Sequence, residues 1–355
     1  MAEQVSEFEW RMDGKEAEIV LYASDDSAAE RVLPAAALPG IEDPVYAAHS
    51  GEGFGWAAAA RSAAPDLFSA PARGLLLGTE AIVESLEEPL EDVPRLVSRR
   101  LSEVRPPSLR ESGVRRICEG GAAAAAEEGF VEEEDLALFG ERGGDPDALS
   151  RRAVSAGSRD WEEPGEVLVY RVGEVLDSER AEALGLERGM LVVMVRIGSG
   201  ELGRLALLSH RQRILSRVRS GDFEVDEELP AAPADTEEAA DLLAAAGGMA
   251  GFADARAALH VWALRRALGD VVGRMDLRAA WAVGGLEGRG GLLIHRWELV
   301  TAREGKELAA GETVAAATGG MLGSTPPFGA AEVEGRWPWE EAGLLERVVR
   351  LALLR

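Results

Sequence analysis

The sequence contains few of the residue types on which several common kinds of site depend. Cys118 is the single cysteine among 355 residues, which excludes an intramolecular disulfide and a cysteine-rich metal site and fits a reducing compartment. Histidine is also scarce, with four in the chain. No apolar run approaches the ~20 residues that a membrane-spanning helix requires, and the first residues lack the basic segment and apolar core of a signal peptide. We therefore expect a soluble, cytoplasmic protein without a membrane or disulfide partner.

Basic residues are outnumbered by acidic ones. The chain has 63 Asp and Glu against 38 Lys and Arg, a formal net charge of −25, which favours solubility and repels other polyanions at long range. Nucleic acid binding would need a local basic patch. The most basic window is the helical pattern from Arg204 to Arg219, in which Arg204, Arg211 and Arg213 are candidate contacts to RNA phosphates. An exposed helix whose arginines balance neighbouring acids explains the same window.

The best-marked element is a buried strand followed by a flexible turn. Residues 191–195 form an apolar run rich in β-branched residues, and Gly198-Ser199-Gly200 follows it. Because loops at the ends of buried strands often carry binding groups, Gly198 and Ser199 are candidate anion-binding or nucleotide-binding residues beside the next helix. The strand exits at Arg196, and residues 190–200 contain no His, Cys, Asp or Glu.

The other candidates are single histidines and a glycine turn. His49 lies within the Gly-rich and Pro-rich residues 38–56, which we predict to be an irregular loop leading into a strand. His295 and Arg296 end a predicted strand, and a glycine turn follows later with Gly319, Gly320 and Met321, where backbone amides could approach an anion. A single histidine or glycine turn more often has a purely structural role.

Strands and helices alternate irregularly along the chain, which argues against a doubly wound parallel sheet. Residues 7–23 read as a hairpin turning at Asp13-Gly14, residues 236–268 as the longest helix, and residues 340–354 as an amphipathic helix. We expect one domain over residues 1–355. Its features are a helical insert at 131–160, a helical segment at 230–270 and a shortened C-terminal part.

Several of these stretches, taken in order, resemble RtcB-type RNA ligases. The resemblance is close over Ala183 to Ser199, which is similar to the family's strand-and-loop pattern G-L-x-x-G-x-x-V-V-M-x-H-x-G-S. It extends unevenly through most of the chain to four further groups of residues: Leu38-Pro-Gly-Ile41 with His49-Ser-Gly-Glu-Gly53, Gly129 to Leu136 with Ser150-Arg-Arg-Ala153, Leu293-Ile-His-Arg296, and Gly319-Gly-Met321. The family uses GTP and manganese to join RNA 3′-phosphate or 2′,3′-cyclic phosphate ends to 5′-hydroxyl ends. The resemblance implies an α+β fold in which mixed or antiparallel sheets pack together and are flanked by helices.

The donors that the family uses to hold its metal are missing from the matching positions. The resemblance places one ligand histidine at Val167 and another at Arg196, an Asp-x-x-Cys pair near residues 75–81, and a His-Asn pair near Gly284-Gly285. The segment with the guanylylated histidine is absent between residues 331 and 340. A divalent ion needs several His, Cys or carboxylate groups at once, so we assign no catalytic residue and no metal ligand and expect neither GTP nor manganese as a cofactor.

Three interpretations follow for function. The first is a pseudoenzyme of the RtcB type, retained for binding RNA, a nucleotide or a protein partner. The second is a divergent but active ligase in RNA repair or tRNA splicing that brings His49, His210 and His295 together. The third is a structural or interaction protein with no nucleotide site. The net charge favours the third over RNA binding, and the basic window argues mildly the other way.

Overall fold

The structure is a computed structural model that describes the backbone of residues 3–4, 9–13, 18–23, 45–49, 72–82, 92–139, 143–163, 165–223, 231–233, 236–283, 285–289, 292–301, 307–317, 321–323 and 349–354. Side chains are described for residues 73–79, 92–139, 143–163, 165–223, 232, 236–281, 349 and 351–354.

The helices of the described residues are α1 (Val93–Glu103), α2 (Glu111–Glu127), α3 (Glu133–Phe139), α4 (Arg151–Asp160), α5 (Ser178–Leu184), α6 (Gly200–Arg219) and α7 (Glu237–Val272). All of these except α5 form one layer around a large apolar cluster, whereas the buried Ala181 and Leu184 of α5 belong to a second cluster. A short 3₁₀ helix, Pro146–Ala148, precedes α4. The predicted helical insert contributes α3 and α4, whose buried residues Phe139 and Ala153 belong to the same apolar cluster as α7.

The strands are β1 (Glu3–Gln4), β2 (Glu9–Asp13), β3 (Glu18–Ala23), β4 (Val45–His49), β5 (Ala72–Ile82), β6 (Glu166–Val175), β7 (Met190–Gly198), β8 (Ala231–Pro233), β9 (Met275–Val283), β10 (Gly285–Arg289), β11 (Leu292–Thr301), β12 (Glu307–Ala317), β13 (Met321–Gly323) and β14 (Val349–Leu353). The main sheet has the order β10-β11-β9-β5-β7-β6-β14, with β12 also paired to β11. Its strand pairings are antiparallel over the described residues. Strands β3 and β4 pair in parallel in a second sheet of order β1-β2-β3-β4. The fold is therefore α+β with mixed and antiparallel sheets flanked by helices, as the sequence predicts.

Strand β7 lies inside the main sheet, between β5 and β6. Its residues from Met190 to Val195 are all buried because both faces of the strand are covered. One face, with Val193 and Val195, joins the large cluster of the helix layer. The other face, with Val192 and Met194, joins a smaller cluster that includes Trp281. The predicted turn after the strand leads directly into α6, which starts at Gly200.

Helix α7 is the centre of the helix layer and packs on β5, β7 and β9. The hydroxyl oxygen of Thr236 accepts a hydrogen bond from the amide of Ala239 (3.4 Å), which gives the helix its N-cap. Small residues along the helix let neighbouring elements approach closely, and the backbone amide of Gly144 donates to the carbonyl of Cys118 on α2 (3.0 Å) beside it. The predicted helix over 236–268 is confirmed and extends to Val272.

Five local predictions are wrong. Strand β11 runs on to Thr301, so His295 and Arg296 lie inside the strand and do not end it. Residues 349–353 are strand β14, paired with β6, and not part of an amphipathic helix, because the alternation of Val349, Leu351 and Leu353 suits a sheet edge. His49 ends strand β4 rather than lying in a loop, since β4 gains a parallel pairing with β3. Met321 begins strand β13, which pairs with β8, and is not part of a turn. That same β8 pairing makes residues 231–233 a strand at the start of the predicted helical segment.

Candidate functional site

Four neighbouring strands place Glu166, Arg196, Gly74 and Trp281 in one row across the main sheet. Arg196 of β7 is the register partner of Glu166 on β6 and of Gly74 on β5, and Gly74 is the register partner of Trp281 on β9. Since side chains alternate between the faces of a strand, Arg196 lies on the face of Val192 and Met194. That face is opposite the helix layer.

Arg196 forms an ion pair within this row. Its Nη1 atom lies 3.5 Å from Oε2 of Glu166, and the two side chains are 30% and 49% exposed. On the other side of Arg196, the indole ring of Trp281 occupies the space that a side chain at position 74 would fill. The glycine therefore allows a large ring to lie against the sheet beside the guanidinium. The row holds a cation, a carboxylate and an aromatic ring.

The loop at Gly198 and Ser199 is held by two buried charged residues beneath it, Asp160 and Arg256. Oδ2 of Asp160 accepts a hydrogen bond from the amide of Leu202 in the first turn of α6 (2.9 Å). Nη1 of Arg256 donates to the carbonyl of Gly198 (2.6 Å). The Asp160 carboxylate already stabilises the positive end of the α6 helix dipole. The negative charge at this loop therefore comes from a side chain of the protein itself.

Backbone geometry explains the glycine at position 200. Gly200 has φ +60°, and an added Cβ would lie 2.8 Å from Oδ2 of Asp160. The second arm of Arg256, Nη2, donates to the carbonyl of Glu163 (2.9 Å). Burial lowers the pKa of Arg256, and the charges of Asp160 and Glu163 oppose that shift. The loop is thus fixed by contacts from α4 and α7.

His260 lies beside the start of β6 and is held by two backbone groups. The amide of Gly165 donates to Nε2 of His260 (2.8 Å), so Nδ1 carries the proton and donates to the carbonyl of Arg256 (2.8 Å). Burial lowers the pKa of His260 to about 4. The imidazole is therefore neutral near pH 7 and both of its nitrogens are in use.

Sequence reasoning passed over Asp160, Arg256 and His260. Asp160 and Arg256 are 96 positions apart, and no short motif connects them. The one local signal is that Arg256 and His260 are four residues apart, which places them on one face of a helix. Both are buried, as is Asp160.

The other described histidine and the single cysteine also have structural roles. Nε2 of His210 lies 3.0 Å from the carbonyl oxygen of Ala148, and burial lowers the pKa of the imidazole. Burial raises the pKa of the Cys118 thiol to about 12, so the thiolate that acts as nucleophile or metal ligand is disfavoured.

The arginines predicted to contact RNA phosphates divide between two sides of α6. Nε of Arg204 lies 2.5 Å from Oε2 of Glu201 one turn earlier. Nη1 of Arg213 lies 2.5 Å from Oδ2 of Asp241 on α7. Arg211 is half-buried. Arg204 and Arg213 thus balance neighbouring acids.

The remaining predicted site residues cannot be placed by their side chains. His49, His295, Arg296 and Met321 lie on strands β4, β11 and β13, where the structure describes the backbone alone. Gly319 and Gly320 fall outside the described residues. Their roles stay predictions. Across the side chains that are described, no group of three or more His, Cys, Asp or Glu is arranged to hold a metal ion.

Comparison with known proteins identifies the family. A family model described as tRNA-splicing ligase RtcB matches residues 76–283. The chain belongs to the RtcB family. The match runs from within β5 to the end of β9 and includes Glu166, Arg196 and Trp281 of the row and the whole helix layer.

Two relatives of this RtcB-family chain match part of its sequence. A tRNA-splicing ligase RtcB from Pyrococcus furiosus is 35% identical over 143 residues, which are 38% of this chain and 15% of that protein. One from Thermococcus kodakarensis is 34% identical over 143 residues, 38% of this chain and 30% of that protein. The chain therefore matches less than a third of the length of either relative. None of the helices that the structure describes has the length and apolar character of a membrane crossing.

The residues in the row do not fit a divalent metal. An RtcB metal site would need imidazoles at the positions of Arg196 and Val167, by the resemblance of the surrounding sequence. Arg196 has no acceptor atom and stays protonated. Val167, paired in register with Val195, packs against the large cluster on the other face of the sheet. Glu166 is the single oxygen donor among the row's side chains, and it pairs with the guanidinium.

Proposed function

We propose that this RtcB-family chain is a binding protein that does not carry out the metal-dependent guanylyl transfer of RtcB-type ligases. The observation that carries the proposal is the Arg196–Glu166 ion pair, at the place where the family resemblance puts a metal-ligand histidine. The fixed positive charge of a guanidinium repels a divalent cation and occupies part of its volume. The Arg196 guanidinium also pairs with the Glu166 carboxylate, which could otherwise have been a ligand of the ion.

The described ionisable groups near β7 support binding rather than chemistry. His260 has both nitrogens hydrogen-bonded to backbone groups, and Arg256 and Asp160 hold the α6 loop. These groups fix the backbone around Arg196 and do not face one another as an acid and a base would. The retained features are therefore a rigid sheet and a positioned loop.

The experiment that tests this proposal is incubation of the full chain with labelled GTP and MnCl₂, followed by mass spectrometry of the intact protein. The Pyrococcus furiosus ligase, treated in parallel, is the positive control. We expect no covalent guanylate on this chain. Formation of one would overturn the proposal and would favour a divergent but active ligase.

A variant separates the loss of one donor from the loss of the whole site. Arg196→His restores an imidazole at the position that the resemblance identifies as a ligand. We expect this variant also to remain unlabelled, because Val167 on the neighbouring strand offers no donor and faces the helix layer. Guanylylation of Arg196→His would show that the remaining ligands are present.

A further inference from the structure

His260 connects helix α7 to the end of a strand pairing in the main sheet. The described pairing of β6 with β7 ends at Glu166 and Arg196. One residue before that last pair, the backbone amide of Gly165 donates a hydrogen bond to Nε2 of His260 (2.8 Å). The imidazole therefore holds the chain at the point where β6 begins.

Gly165 lies tightly against the neighbouring strand. A Cβ at this position would lie 2.4 Å from the carbonyl oxygen of Arg196 and 2.7 Å from Cδ1 of Ile197. Glu166 follows directly in the chain, and its carboxylate lies 3.5 Å from the guanidinium of Arg196. The contact of Gly165 with the imidazole thus positions the residue that pairs with Arg196.

The acceptor atom of His260 is available only while the ring is neutral. Nδ1 lies 2.8 Å from the carbonyl oxygen of Arg256, one turn earlier in α7, and donates its proton to that oxygen. Nε2 then keeps its lone pair for the amide of Gly165. A second proton would occupy this lone pair and place two N–H groups against each other. Protonation therefore replaces the hydrogen bond of Gly165 with a repulsive contact.

Residues 165–168, which we call the entry segment, lie between two backbone contacts that do not depend on pH near neutrality. Before the segment, the carbonyl of Glu163 accepts a hydrogen bond from Nη2 of Arg256 (2.9 Å), and a guanidinium stays protonated. After the segment, the carbonyl of Val169 accepts a hydrogen bond from the amide of Leu354 (2.9 Å). The entry segment can therefore move while the chain on either side of it stays in place.

The entry segment is also weakly held compared with the centre of the sheet. Glu166 is exposed and the next two side chains are half-buried, whereas Val169 is buried. The pairing of β6 with β14 starts at Tyr170, so over the described strands the entry segment pairs with β7 alone. Segments with few buried contacts open at a lower free energy than the whole fold. We therefore expect this end of β6 to open before the rest of the sheet.

The charges around His260 oppose a second proton on the ring. The charged side chains on the neighbouring elements are Arg256 on α7, Asp160 at the end of α4, Glu163 before β6, Glu166 on β6 and Arg196 on β7. Burial lowers the pKa of His260 most, its bond to the Arg256 carbonyl opposes that shift, and the positive charge of Arg256 adds to it. The carboxylates of Asp160 and Glu163 act on Arg256. Protonation therefore places a second positive charge one turn from Arg256.

We propose that His260 is a pH-sensitive switch for the entry segment. The neutral ring holds the segment on β7, and protonation releases it while the rest of the sheet stays folded. Glu166 moves with the segment, so acid also separates its carboxylate from Arg196. A buried residue of the helix layer thereby controls an ion pair on the opposite face of the sheet.

The test is hydrogen–deuterium exchange of the full chain, measured by NMR at the amides of Gly165 and Val193 at pH 7 and pH 5. Each rate is divided by that of an unstructured peptide, because exchange itself depends on pH. We expect the protection of Gly165 to fall by up to about twentyfold. This limit follows by linkage when the ring regains its ordinary pKa of 6.5 in the open segment, against about 4 in the closed one. Val193, inside β7, should remain better protected at both pH values.

Two results in the unsubstituted chain would overturn the proposal. The same protection of Gly165 at both pH values would mean that the ring does not control the entry segment. Equal protection of Gly165 and Val193 would mean that the segment opens only when the whole sheet unfolds.

Two variants assign the effect to one ring. His260→Gln supplies an acceptor that does not titrate, so the protection of Gly165 should no longer depend on pH. His210→Gln is the matched control, because His210 is also buried and also contacts a backbone carbonyl, that of Ala148. This control should keep the full fall in protection, and an equal fall in both variants would contradict the proposal. If His260→Gln does not fold, the comparison of Gly165 with Val193 in the unsubstituted chain still decides. The measurement uses neither GTP nor manganese, so its outcome is independent of the guanylylation assay.

Discussion

At the residue scale, burial determines the chemistry of His260. The imidazole is 8% exposed and accepts the amide hydrogen of Gly165 at Nε2. A second proton on the ring would have to replace that accepted bond with a repulsive contact, and would add a charge near Arg256. The fold therefore favours the neutral ring.

We predict that His260 makes the folded state sensitive to acid. Its pKa falls from 6.5 to about 4 on folding, so the unfolded chain binds the proton more readily, and stability is lost as pH falls from 6.5 towards 4. By this linkage, lowering the pH from 7 to 5 should cost about 2 kcal/mol at this site. Urea unfolding at both pH values measures the loss, and His260→Gln should lose correspondingly less. An unchanged pH dependence in that variant would exclude His260 as the cause.

Arg196 shows at the same scale how one substitution changes what a strand end can bind. An imidazole can lose its proton and offer a lone pair, whereas a guanidinium cannot. The strand itself is unaffected, because Val193 and Val195 still fill the core. The apolar residues of β7 therefore indicate the family, whereas Arg196 determines what the end of the same strand can bind.

At the element scale, α7 has two kinds of glycine. An added Cβ at Gly247 would lie 2.7 Å from the carbonyl oxygen of Gly143 and 3.1 Å from Cα of Gly144. Gly269, near the end of the same helix, is exposed and has nothing within 4 Å of such a Cβ. The first glycine permits a close backbone approach, and the second has no packing role.

The two glycines give a matched pair of substitutions with opposite expected signs. Gly269→Ala should raise the free energy of unfolding by about 0.5–1 kcal/mol, because alanine is the better helix former. Gly247→Ala gains the same propensity but must push the residue 143–144 segment away, for a net loss of about 1–3 kcal/mol. Thermal or urea unfolding compares them. Similar stabilisation by both would show that the segment moves freely away from α7.

Elements with a strong local pattern were predictable from the sequence, and edge strands were not. Strand β7 begins with an unbroken apolar run from Met190 to Val195, and α7 has a capping threonine and helix-forming residues over most of its length. Strand β14 has five residues, and its assignment depends on pairing with β6, which lies more than 170 positions earlier. The prediction of a helix over residues 340–354 considered a longer segment, in which the short alternation of β14 is hidden.

At the scale of the whole molecule, the part of the candidate site that lies on one strand could be predicted from the sequence. The parts that depend on strand register or on helix packing could not. Arg196 was evident from its place at the end of β7. Its partner Glu166 follows from strand register, which the sequence alone does not set. Asp160 and Arg256 meet under the α6 loop because α4 and α7 pack together in the helix layer.

The same layers are joined by a buried charged contact between β5 and α7. Nε of Arg73 lies 3.1 Å from Oδ1 of Asp254, and both side chains are at most 1% exposed. Arg73 also donates to the carbonyl of Phe139 at the end of α3. One guanidinium thus contacts the sheet, the long helix and the predicted insert.

A double-mutant cycle should show strong coupling across this contact. Arg73→Met or Asp254→Ala alone leaves a buried charge without its main counterion and should cost about 3–5 kcal/mol. The double variant removes both charges and should cost much less than the sum of the two singles, since neither desolvated charge remains. The measurement is the free energy of unfolding of all four proteins in urea. Additive losses would mean that each residue acts through other neighbours, and that sheet and helix layers are held together by apolar packing alone.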